Sequence, residues 1–93
     1  MIQENNEQWE EERTKAIREF YREYEQIRKK YNLRMHSLTS LYDEGLIKIW
    51  RYEGEKRKEL ILTCKEEDDV ELYKKATSDL IRIKKIMEES KNG

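Results

Sequence analysis

The sequence predicts an all-α fold: a long amphipathic helix followed by two shorter helices packed back on it, a coiled-coil-like helical hairpin or bundle. Three observations predict it. The chain has no proline, and residues 4–44 also lack glycine. Apolar side chains through that stretch recur at steps of three and four, the spacing that lines one face of a helix. Glu, Lys, Arg, Leu and Ile, which cost little to place in a helix, are abundant. A composition with 44% charged and 35% hydrophobic residues is also compatible with disorder, but disorder goes with a large net charge and few aromatics. Here the net charge is −1, and two Trp, six Tyr and one Phe supply anchors for an ordered core.

The first helix is expected over residues 4–44. Ile17, Phe20, Tyr24, Ile27, Tyr31, Leu38 and Leu41 form a heptad seam, with Arg34 in the one missing place. A helix of that length would run about 60 Å, longer than a compact domain of this size is wide. It must then pair with another chain or break near Asn32 or Ser37, and the intact helix is the preferred reading.

Gly45 serves as its terminator, able to take the left-handed conformation that ends a helix. A second helix is expected over 49–65, with Ile49, Leu60 and Cys64 on one face, Trp50 and Ile61 flanking, and Glu53/Arg57 as an i,i+4 pair. A strand reading competes. Leu46-Ile47-Lys48-Ile49-Trp50-Arg51-Tyr52 is rich in strand formers, and Glu53-Gly54-Glu55-Lys56 would turn it into a second strand over 59–64. The run Leu38, Leu41, Gly45, Ile47, Tyr52, Lys56, Leu60 resembles the short helical hairpin of SHOCT-type modules, which covers about a quarter of the chain. That resemblance implies helix through the middle of the chain and a role in association. The third helix, over 69–90, opens on Glu66-Glu67-Asp68-Asp69. Asp68 or Asp69 caps its free amides, and Tyr73, Ala76, Leu80, Ile83 and Met87 follow at helical spacing. Residues 1–93 are read as a single helical domain.

Bond chemistry finds little to work with. His36 and Cys64 stand far apart, so a zinc site would need carboxylates from elsewhere, and no Glu-x-x-His pair suggests a di-iron site. Cys64 has no partner histidine or oxyanion loop and is read as a packing residue. Gly45, Gly54 and Gly93 are too scattered to cradle a phosphate. The expectation is a protein that is not an enzyme and has no cofactor and no metal. With no apolar run near 20 residues, no signal-peptide pattern and a single cysteine, it is expected in the cytoplasm without membrane contact.

Two function classes follow. The first is a small regulatory or adaptor protein that blocks or modulates a protein partner of unstated identity through helix-mediated contact, with homodimerisation as a further expectation. Its interface would be Ile17, Phe20, Tyr24, Ile27, Tyr31, Arg34, Leu38, Leu41 and Trp50, since Tyr, Trp and Arg are enriched at association surfaces. The alternative is a nucleic-acid-associated accessory protein using Lys15, Arg18, Arg22 and Lys29 on the opposite helix face. Against the alternative, Glu11–Lys15 and Glu25–Lys29 are i,i+4 pairs typical of a solvated helix. A weaker similarity to the helical hairpins of the WXG family rests on Trp50, with the glycine at 54 rather than 52.

Overall fold

The computed structural model describes residues 2–38 and 45–92, with side chains described over 7–37 and 45–89. Its element order is α1 (Ile2–Arg28), β1 (Leu33–Leu38), β2 (Gly45–Glu53), β3 (Lys56–Glu66) and α2 (Asp69–Asn92). The fold is therefore α+β, and the all-α, coiled-coil expectation is corrected. The strands form an antiparallel meander in the order β1-β2-β3. Both helices pack against one face of that sheet and against each other.

The expected 4–44 helix stops at Arg28, and Asn32 is the reason. It adopts φ 54°, the left-handed conformation that asparagine tolerates better than most residues. Its side-chain amide donates to the Tyr52 carbonyl at 3.0 Å, and its carbonyl accepts the Tyr52 N–H at 2.9 Å. The chain is thereby turned from α1 onto the end of β2. Beyond it the pattern changes period: Leu33 is buried and Met35 packs against the core, while Arg34 and His36 are exposed. Arg34 interrupted the seam because it lies on a strand, facing away from the core.

The expected helix over 49–65 is likewise absent. Ile47 and Ile49 on β2 meet Cys64 and Leu62 on β3 as cross-strand partners, and all four are buried. Gly54 and Glu55 make a two-residue turn between Glu53 and Lys56. Gly54 has φ +65° and Glu55 does not share the positive sign, the signature of a type II′ hairpin. The strand reading, second in rank from sequence, is the one the molecule follows. The resemblance to a helical SHOCT hairpin fails with it, as does the WXG similarity: Trp50 lies mid-strand.

Helix α2 begins where the acidic run ends. Asp68 is its cap, accepting the Glu71 N–H at 3.1 Å through its carboxylate while its carbonyl accepts from Leu72 at 2.9 Å. The two helices run parallel. At one end Trp9 donates to the Asp68 carboxylate at 2.8 Å and Arg13 to that of Asp69 at 3.1 Å; at the other Lys84 reaches Glu23 at 3.6 Å and also bonds Gln26. Between them lies the core of Phe20, Tyr24, Ile27, Tyr73, Ala76 and Leu80, seated on Leu33, Ile47, Ile49 and Leu62. Phe20 meets the Tyr73 ring edge-on at 5.6 Å.

Candidate functional site

A three-stranded sheet with both helices on one side presents its other side to solvent, and the register states what stands there. Three rows cross it: Arg34–Trp50–Leu60, His36–Lys48–Thr63 and Leu46–Lys65. A fourth pair, Tyr52–Arg57, extends the face toward the hairpin turn. No acidic residue occupies these positions, although the whole chain is slightly acidic. Among the described residues the nearest recorded acid partner is Glu55 at the turn, 3.6 Å from the Arg34 guanidinium and 92% exposed.

Two bulges in β3 assemble this face. Alternation alone would bring Leu60 round to the buried side with Leu62 and Cys64. The pairing instead skips Ile61 between Ile49↔Leu62 and Trp50↔Leu60, then Lys58 between Arg51↔Glu59 and Tyr52↔Arg57. The first skip turns Leu60 out, where it is 43% exposed; the second brings Arg57 to the same side as Leu60. Bulges re-aim side chains in this way and increase local twist.

The side chains then interlock diagonally. The Arg57 guanidinium lies over the Trp50 ring at 4.6 Å, and the Arg34 guanidinium over the Tyr52 ring at 4.4 Å. Each such pair contributes about 0.5–1 kcal/mol when exposed. Together they fix four long side chains as two cation-capped aromatic planes, one beside the other. This pairing meets part of the loss of side-chain freedom that a ligand would otherwise impose.

The structure divides the sequence-predicted interface. Phe20, Tyr24 and Ile27 are buried in the chain's own core, and Ile17 and Tyr31 pack against it half-buried. A contact through that seam would require the core to open. Burial pushes the Tyr24 hydroxyl up to about 12, and it donates to the Leu33 carbonyl at 3.4 Å. Arg34 and Trp50 are brought together on the open sheet face instead. Leu38 is the last residue of β1, its side chain outside the described residues, and Leu41 lies outside them altogether. Lys15, Arg18, Arg22 and Lys29 are all exposed; the first three lie on α1 and Lys29 in the turn after it.

Lys48, Tyr52, Arg57 and Leu60 were missed from sequence. The signal for the first two was the alternation of Lys48, Trp50 and Tyr52 with Ile47 and Ile49. For Arg57 and Leu60 no simple alternation could serve, because the bulges change the count. Cys64 is buried, its thiol raised above the ordinary value by that burial and donating to the Leu72 carbonyl at 3.6 Å. Such a thiol has little thiolate character. Among the described residues no three His, Cys, Asp or Glu side chains gather to hold a metal, and no helix is long and apolar enough to cross a membrane. No family model, curated protein or solved structure matches the chain.

Proposed function

We propose that this chain is a small non-enzymatic binding protein, regulatory or adaptor in type, whose contact surface is the helix-free face of its sheet. One observation carries the reading: two register bulges are spent on placing Arg57 and Leu60 beside Trp50, Tyr52 and Arg34 on a face that contributes nothing to the core. The mechanism is occupancy, with the partner held or blocked and no bond made or broken. The reducing cytoplasm is its place of work, a reading supported by the single, unpaired Cys64.

Site-specific photo-crosslinking in the native cell tests it. A photoreactive residue replaces Leu60 on the sheet face in one variant and Arg22 on the outer face of α1 in another. Both positions are exposed, so both variants should fold. Covalent adducts with a macromolecule from position 60 and few from position 22 are expected. Adducts from position 22 alone would overturn the sheet-face reading and return attention to the basic side of α1.

A further inference from the structure

We infer that the ligand of the open sheet face is single-stranded nucleic acid. The inference rests on the binding-protein reading above and gives it a chemical class. The face offers Arg34, Lys48, Arg57 and Lys65 with no acid in its rows, so it suits a polyanion, and it does so on a chain whose net charge is −1. What distinguishes the face is the absence of acids from its rows: on α1 the cations Arg13, Lys15, Arg18 and Arg22 are interspersed with Glu7, Glu10, Glu11, Glu12, Glu19 and Glu23.

Charge alone would suit any polyanion, an acidic peptide included. The aromatic content narrows the choice. Trp50 and Tyr52 stand two positions apart on the central strand, so their Cα atoms are about 7 Å apart along it and both side chains leave on the same face. Bases that are not paired can stack on aromatic rings and equally on guanidinium planes, and both are present here as adjacent pairs. Lys48 and Lys65 flank the pairs on the same face, placed for the backbone phosphates. An acidic peptide would use the cations and leave the two planes idle. A duplex hides its bases' flat faces and would leave them idle as well.

The test uses the full chain and labelled single-stranded RNA and DNA of mixed sequence, about 12 nucleotides long, with the matching duplex as comparison. Fluorescence anisotropy at several salt concentrations is the readout. Single strands should bind, with log affinity falling against log salt at a slope of about −3 if four cations meet phosphates. Arg34→Gln with Arg57→Gln should weaken binding about tenfold or more and shallow the slope, in a variant that circular dichroism shows to be folded at the assay temperature. Lys15→Gln, Arg18→Gln and Arg22→Gln together should change affinity less than about twofold. In a Trp9→Phe background the remaining Trp50 fluorescence should be quenched on saturation.

Duplex binding as tight as single-strand binding would overturn the inference, and so would absence of single-strand binding at low salt. In the latter case, crosslinks from position 60 to a protein would leave the sheet-face reading standing and remove only the nucleic acid. Absence of crosslinks from position 60 would remove both.

Discussion

Asn32 and Tyr52 grip each other's backbone from both sides, the Asn32 side chain on the Tyr52 carbonyl at 3.0 Å and the Tyr52 N–H on the Asn32 carbonyl at 2.9 Å. This double contact settles where α1 ends and aligns β1 with β2. Two substitutions separate its parts. Asn32→Gly keeps the left-handed conformation and loses the side-chain bond, which should cost about 1 kcal/mol. Asn32→Ala loses the bond and adds the left-handed penalty, for a total of about 2–3 kcal/mol. Urea denaturation should rank the wild type above the glycine variant and the alanine variant last; an alanine variant as stable as wild type would deny the contact its role.

Gly45 is required for a spatial reason. A Cβ at this position would stand 2.8 Å from Leu72 Cδ2 and 3.4 Å from the Asp69 carboxylate. Gly45→Ala should destabilise the protein by about 1–3 kcal/mol, the usual cost of overpacking. Adding Leu72→Val, which shortens the opposing side chain, should recover part of that loss, so the double variant should be less destabilised than the two single effects summed.

The start of α2 is held by α1. Asp68 caps the helix and also accepts the Trp9 indole N–H, so Asp68→Ala should lose about 1–2 kcal/mol and change the Trp9 fluorescence. Trp9→Phe, which spares the cap, should cost less. Equal losses would show that the cap contributes nothing.

Phe20 and Tyr24 belong to the core, and their variants should report folding. Phe20→Ala should cost about 3–5 kcal/mol, enough to unfold much of a protein this small. The same core sets the alkaline limit. Burial raises Tyr24 from 10.0 to about 12 and pushes Tyr73 and Cys64 upward too. Each of these groups is neutral when protonated, so the folded state holds its proton more tightly than the unfolded chain does. Their contribution is complete below the unfolded values, 9.0 for Cys64 and 10.0 for the tyrosines, and is lost as pH climbs through the raised folded values. Melting temperature should therefore fall between about pH 9 and 12, and Tyr24→Phe should flatten the upper part of that fall.

Sequence pattern located α2 closely, because its acidic cap, heptad spacing and basic C-terminal half agree with one another. It located the apolar face of α1 as well, through Phe20, Tyr24 and Ile27. What it could not supply was the length of α1. Tyr31, Arg34 and Leu38 continue steps of three and four by coincidence, and over six residues a period of two and a period of three and a half share too many positions to be told apart. The strand formers of β2 were visible, yet the resemblance to a helical hairpin and the Glu53/Arg57 spacing tilted the segment towards helix; tertiary pairing between Ile47, Ile49, Leu62 and Cys64 decided otherwise. Of the open face, Arg34 was placed in the helical seam and Trp50 on the flank of the expected second helix, whereas both lie on strands. The bulges that complete the face depend on pairing partners, which no single segment encodes.

The parallel arrangement of α1 and α2 has a consequence for how the molecule is made. Trp9 meets Asp68 and Arg13 meets Asp69, contacts between residues more than fifty positions apart, and the meander lies between them in sequence. A nascent chain that has released α1 and the three strands has no second helix with which to close its apolar layer. The α1 helix and the antiparallel strand pairs can form from neighbours, but their apolar faces stay uncovered. Assembly must then wait for α2 and proceed in one late, cooperative step. Folding should be slow for a chain of this length and all-or-none in character, with Ala76 and Leu80 arriving last on a surface that until then is exposed to chaperones and aggregation.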